Sequence, residues 1–65
     1  MEETIRDYSG FIIGYLDHQS NGDIVVRNPS RLILGRYEAS SGYTKDFYGR
    51  ILYRGNMASA LLVFK

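Results

Sequence analysis

The chain has 65 residues, a formal net charge of +1, a hydrophobic content of 45% and no cysteine. Its length allows a single domain over 1–65, and a chain this short buries only about 60% of the surface that it exposes when unfolded. The lack of cysteine excludes disulfides and thiolate zinc sites, and a single histidine, His18, argues against an imidazole-rich metal site. Small domains usually gain stability from disulfides, metals or self-association, so self-association is the remaining aid.

The chain carries no predicted targeting or membrane-spanning segment. Its start, Met1-Glu2-Glu3, is acidic, whereas a secretion signal begins with a basic region and an apolar run. No apolar stretch approaches the roughly 20 residues that a transmembrane helix needs. We therefore expect a soluble cytoplasmic protein that does not bind membranes.

A turn pattern recurs three times along the chain, at 6–10, 27–31 and 45–49. Each copy has a basic residue, Asp or Asn, two variable residues and then Gly, except that the middle copy ends in Arg31. An apolar segment follows each copy, at 11–13, 32–34 and 51–53. Asp or Asn at the start of a turn accepts bonds from backbone N–H groups just ahead of it, and Gly supplies the left-handed conformation that ends the turn. The pattern predicts three β-hairpins built on the same turn.

The middle turn is the irregular one. Pro29 suits the second position of a type I turn, directly after Asn28. Arg31, where the other copies have Gly, would pay a steric cost in the left-handed region. Either Arg31 adopts that conformation, or the middle turn is of a different type.

We predict strands at about 3–7 and 10–16, 22–28 and 31–38, and 43–46 and 49–54. The hairpins then span 3–16, 22–38 and 43–54, and the short polar connectors leave no room for crossover helices. The predicted fold is mostly β, with three antiparallel hairpins in a small meander, flower-like or barrel-like sheet. A short helix at about 56–64 follows, because Asn56 is a good N-cap and Met57, Ala60, Leu61 and Phe64 form one helical stripe. A final strand over 62–64 is the alternative.

Side-chain alternation separates two faces of the long strands. One face is uncharged and is the predicted core; it carries Ile12, Gly14 and Leu16, then Ile33, Gly35 and Tyr37, then Ile51, Tyr53 and Gly55. Glycines at the same place in two repeats predict a close approach of backbones. The other face carries an apolar row beside arginines, formed by Ile13, Leu34 and Leu52. We predict that this row is either a second core face under the helix or an oligomer interface.

Repeated hairpins of the form Asp-x-x-Gly-[Arg or Phe]-Ile, followed by Gly, resemble the small bacterial domains described as β-flowers. The resemblance rests on Asp7/Gly10/Ile12/Gly14, Asn28/Ile33/Gly35 and Asp46/Gly49/Arg50/Ile51, and on Gly55-Asn56 before the apolar tail. It implies short hairpins arranged like petals around a pseudo-symmetry axis. The resemblance assigns no catalytic residue to this chain.

Charge is unevenly distributed along the chain. Residues 1–23 contain five acidic side chains and one arginine, whereas residues 24–65 contain seven basic and two acidic side chains. The two parts can neutralise each other within the fold. Alternatively, they meet between subunits, or the basic part faces an anionic partner.

The sequence predicts a binding module and no catalytic, metal or cofactor site. Asp17-His18 lies in a polar connector without a nucleophile nearby, and the aspartates fall at turns and strand ends. Arginine and tyrosine are enriched in protein interfaces, which favours a protein partner or homo-oligomer. A less favoured alternative is single-stranded nucleic acid bound by an arginine–tyrosine face. The candidate binding surface in both cases comprises Arg36, Tyr37, Arg50, Tyr53 and Arg54.

Overall fold

The structure is a computed structural model that describes residues 1–63, with side chains described up to Leu62. One antiparallel sheet has the strand order β1-β2-β3-β4-β5-β6, followed by a helix. The elements are β1 (Glu2–Arg6), β2 (Ile12–His18), β3 (Ile24–Arg27), β4 (Ile33–Glu38), β5 (Tyr43–Asp46), β6 (Ile51–Arg54) and α1 (Ala60–Val63). The mostly β fold with three hairpins is confirmed. The sheet is an open meander and is not closed into a barrel.

The three repeated turns share one backbone geometry. The amides of Gly10, Arg31 and Gly49 donate to the carbonyl oxygens of Asp7, Asn28 and Asp46 at 2.9, 2.8 and 3.1 Å. The φ angles of the three donor residues are 91°, 69° and 85°. Arg31 therefore adopts the left-handed conformation that Gly has in the other two copies, and the middle turn is not of a different type.

The core lies on one face of the sheet, beneath the C-terminal segment. Its buried cluster contains Leu16, Ile24, Val26, Ala58 and Leu62. We call this side of the sheet the core face and the opposite side the outer face. The core is small, because the largest side chains that are fully buried among the described residues are only those of Val26 and Thr44.

The helix packs closely against the two repeat-related glycines. A Cβ atom added to Gly14 would collide with Leu62 and with the carbonyl oxygen of Arg27. A Cβ atom added to Gly35 would collide with the carbonyl oxygen of Lys45 and would lie 2.9 Å from Leu61. The predicted close approach at these glycines is confirmed.

Each hairpin contains a β-bulge at the same place in its second strand. The pairing shifts between Ile5 and Arg6, Val26 and Arg27, and Thr44 and Lys45, and the extra residues are Ile13, Leu34 and Leu52. A bulge interrupts the regular alternation of side chains between the two faces. Ile12, Ile33 and Ile51, which precede the bulges, consequently pair with Arg6, Arg27 and Lys45 on the outer face. Their predicted place in the core was wrong, and Ile33 and Ile51 are 42% and 58% exposed.

A buried threonine fastens the C-terminal segment to the sheet. Thr44 Oγ1 donates to the carbonyl oxygen of Gly55 at 2.8 Å and accepts from the amide of Met57 at 2.9 Å. Asn56 Oδ1 accepts from the amide of Ala58 at 3.3 Å, as an N-cap does.

The helix itself is shorter than predicted. It covers Ala60–Val63, because the residues before it form tight turns in which the amides of Ala60, Leu61 and Leu62 bond three residues back. The alternative of a strand beginning at 62 was wrong, since Leu62 and Val63 are helical. Position 64 lies outside the described residues.

Candidate functional site

Large apolar side chains are exposed around the three repeated turns. In a meander, the turns within the three hairpins lie at the same end of the sheet, because successive strands alternate in direction. The exposed side chains there belong to Tyr8, Phe11, Leu32, Ile33, Phe47, Tyr48, Ile51 and Leu52. An accumulation of this kind is typical of an interaction surface.

The carboxylate of the third turn is occupied by local bonds. Asp46 Oδ1 accepts from the amides of Tyr48 and Arg50, both at 2.9 Å, and Oδ2 accepts from Arg50 Nε at 2.8 Å. The backbone bond from Arg50 contributes most to holding the pKa of Asp46 below its ordinary value. Asp7 makes the equivalent bonds to Ser9 and Phe11. These aspartates form turns, as predicted, and Asp46 is saturated within its own turn.

A cleft of about 220 Å³ opens beside the third turn. It is lined by Val25, Ile33, Gly35, Arg36, Asp46 and Phe47. Phe47, which is 62% exposed, packs edge-on against Tyr48 with ring centroids 5.3 Å apart. The guanidinium of Arg50 lies 5.8 Å from the Tyr48 ring centroid. We call this region the Phe47 surface; it comprises Val25, Ile33, Arg36, Phe47, Tyr48 and Arg50.

Arg36 is the loosely held cation of the Phe47 surface. Its Nε lies 4.0 Å from Glu38, whereas Lys45 Nζ approaches the same carboxylate to 2.9 Å. The hydrogen bond from Lys45, followed by that from Ser41, lowers the pKa of Glu38. Since Lys45 and Ser41 already satisfy Glu38, the guanidinium of Arg36 is available to a ligand of the cleft.

The structure divides the predicted binding residues between two faces. Arg36 and Arg50 belong to the Phe47 surface, and Arg54 is exposed at the end of the edge strand β6, where it pairs with Tyr43. Tyr37 and Tyr53 lie on the core face, where both pair with Thr44, and Tyr37 packs against the buried cluster. The five residues therefore do not form one continuous patch.

The predicted apolar row is split in the same way. Ile13 and Leu34 pack against the buried cluster, whereas Leu52 is 45% exposed on the edge strand β6. The first two residues of the row are thus part of the core under the helix. For Leu52, the predicted role in an oligomer interface stays a prediction.

Sequence reasoning missed the three apolar residues of the cleft, Val25, Ile33 and Phe47. A signal was present for Phe47, because a Phe-Tyr pair at the two central positions of a turn exposes two large rings. The placement of Ile33 depends on the bulge at Leu34, for which the local sequence has no marker.

The single histidine of the chain lies beside a carboxylate. His18 Nε2 lies 2.9 Å from Glu3 Oε1, and both side chains are partly exposed. In the described part of the chain, no three His, Cys, Asp or Glu side chains are grouped so that they could hold a metal ion.

Charge remains separated across the sheet. Among the described residues, the pair Arg31–Glu2 is the single ion pair that joins 1–23 to 24–65. The other pairs are local. In residues 1–23, Glu3 pairs with His18, and Asp17 pairs with the N-terminal amino group. In residues 24–65, Glu38 pairs with Lys45 and Arg36, and Asp46 pairs with Arg50. The part of the chain that contains β1 and β2 therefore carries a net negative charge, and the part from β4 to β6 carries a net positive charge.

In the described part of the chain, no helix has both the length and the apolar character needed to cross a membrane. No protein-family model, curated protein or solved structure matches this chain.

Proposed function

We propose that this chain is a non-enzymatic protein-binding or self-assembly module whose contact site is the Phe47 surface. The observation that carries the proposal is the pair of exposed rings, Phe47 and Tyr48, beside an apolar cleft flanked by two arginines. Aromatic and arginine side chains dominate the binding energy of protein interfaces.

The ion pairs favour a protein partner over single-stranded nucleic acid. Lys45, Arg50 and Arg31 are each bonded to a carboxylate at 2.9 Å or less. Phosphates would have to compete with these carboxylates, whereas an apolar side chain entering the cleft disturbs none of them. In addition, Tyr37 and Tyr53, the tyrosines of the predicted nucleic-acid face, lie on the core face and are not placed to stack on bases.

Site-specific photo-crosslinking in cells tests the proposal. Benzoylphenylalanine replaces Phe47 in one version of the protein and Ser40 in the control, because Ser40 is exposed in the connector at the opposite end of the sheet. We expect a protein adduct from position 47 and none from position 40. The crosslinked protein, identified by mass spectrometry and purified, should bind the Phe47→Ser variant about tenfold more weakly or worse. No protein adduct at position 47, or nuclease-sensitive adducts only, would contradict the proposal.

A further inference from the structure

We infer that the partner is a second copy of this chain, bound head to tail, with the acidic edge strand β1 of one copy lying along the basic edge strand β6 of the next. This inference rests on the proposed function, since it names the partner of the module. It adds the two sheet edges to the contact.

In the part of the chain that the structure describes, both sheet edges are free to pair. The strand order leaves β1 and β6 with one neighbour each, so one side of each strand has unpaired backbone N–H and C=O groups. Odd-numbered and even-numbered strands run in opposite directions in this meander. A β1 strand from another copy can therefore continue the antiparallel pattern beside β6.

The two edges carry opposite charge. β1 begins with Glu2 and Glu3, and Arg54 ends β6, so antiparallel pairing brings these charges together. At the other end, Arg6 of β1 donates to the carbonyl oxygen of Gly10, and Arg50 is paired with Asp46. Within the described residues Arg54 has no ion-pair partner. Oppositely charged edges attract each other and disfavour pairing of like edges, so the charges select the head-to-tail arrangement.

The β6 edge also exposes apolar surface. Ile51 is 58% exposed and Leu52 45% exposed, although the equivalent Ile13 and Leu34 pack against the core. A second copy beside β6 would cover Leu52, whereas Ile13 and Leu34 are already covered within one copy by their packing against the core. Because the bulge at Leu52 interrupts the regular pairing of this edge, the strand contact is short and we expect association to depend on charge.

Sedimentation velocity on a charge-swap pair tests this arrangement. Arg54→Glu makes the β6 edge acidic, and Glu3→Arg makes the β1 edge basic while leaving the Glu2–Arg31 pair in place. At low ionic strength (about 0.02 M) we expect the wild-type protein to exceed the monomer mass of 7.4 kDa, and each variant alone to be monomeric. An equimolar mixture of the two variants should associate again, because each acidic edge then meets a basic edge. At about 0.5 M salt the wild-type protein should be mostly monomeric.

Arg27→Glu is the matched control, since it makes the same charge change on β3, which is not an edge strand, and Arg27 lies outside the Phe47 surface. It should keep the associated mass, and circular dichroism should show that all variants are folded. A wild-type protein that is monomeric at low salt overturns the inference, and so does association that both single variants retain. In either case the crosslinking experiment at position 47 still tests the proposed function separately, because another protein can occupy that surface.

Discussion

The guanidinium of Arg31 donates to the carboxylate of Glu2 at 2.5 Å, across 29 positions of the chain. The same guanidinium lies 4.1 Å from the centroid of the Tyr15 ring. The hydrogen bond with Glu2 is the main cause of a raised pKa for Arg31. These two contacts explain why an arginine occupies a left-handed position that glycine fills in the other two turns: the cost of the backbone conformation is offset by contacts that glycine cannot make.

Two substitutions at Arg31 separate the backbone cost from the side-chain contacts. Arg31→Gly loses the contacts but relieves the left-handed strain, so the two effects oppose each other and we expect little change in the free energy of unfolding. Arg31→Ala loses the contacts and keeps the strain, so it should be less stable than Arg31→Gly by about 1 kcal/mol. Urea unfolding of the two variants measures the difference. Equal stability would show that the position carries no backbone strain.

Gly35→Ala should destabilise the fold by about 3 kcal/mol, because the added methyl group meets the carbonyl oxygen of Lys45, which cannot move without breaking the sheet. Gly10→Ala is the matched control. Its surroundings are open and only its φ of 91° is unfavourable to alanine, so a cost of about 1 kcal/mol is expected. Thermal or urea unfolding of both variants gives the comparison. A Gly35→Ala protein as stable as Gly10→Ala would contradict the close packing of β4 against β5.

Removing the hydroxyl of Thr44 should loosen the C-terminal segment. Thr44→Val keeps the shape but leaves the carbonyl of Gly55 and the amide of Met57 without their partner, at an expected cost of about 1–3 kcal/mol. Hydrogen exchange at the Met57 amide should become faster in this variant. Thr44→Ser keeps the hydroxyl and should keep the exchange rate of the wild-type protein, although it loses a buried methyl group. Equal exchange in Thr44→Val and Thr44→Ser would rule out this role of the hydroxyl.

Stability should fall in acid through Asp46 and Glu38, whose pKa values are lowered in the folded protein. A lowered folded pKa contributes stability above the unfolded pKa, about 3.9 for Asp and 4.3 for Glu, and that contribution is lost as pH falls through the folded pKa. The expected result is a free energy of unfolding that decreases progressively below about pH 4.

Asp46→Asn isolates the part of this effect due to Asp46. Asn28 forms the equivalent turn with its side-chain oxygen bonded to the amide of Leu32 at 3.0 Å, so asparagine is compatible with the turn. The variant should be less stable than the wild type at about pH 7, and the difference should shrink near pH 3. Urea unfolding at both pH values measures it. A difference independent of pH would mean that the charge of Asp46 does not contribute to stability.

The local sequence determined the hairpins of this protein. Asp7, Asn28 and Asp46 form the same turn because each bonds to backbone groups at most four residues away, and such bonds do not depend on the rest of the fold. Gly14 and Gly35 likewise indicated that neighbouring backbone comes close to the strand at these positions, since any side chain there would block it. The β-flower resemblance concerns the arrangement of these hairpins and stays a prediction.

The tertiary structure decided which side chains face the core and which are exposed. The bulges at Ile13, Leu34 and Leu52 arise from pairing with the preceding strand, and they place Ile33 and Ile51 on the outer face against simple alternation. The contacts of Arg31 with Glu2 and the cleft beneath Phe47 likewise join residues far apart in the chain. Contacts of this kind depend on how three hairpins twist and pack together, and a pattern read along five residues does not contain that information.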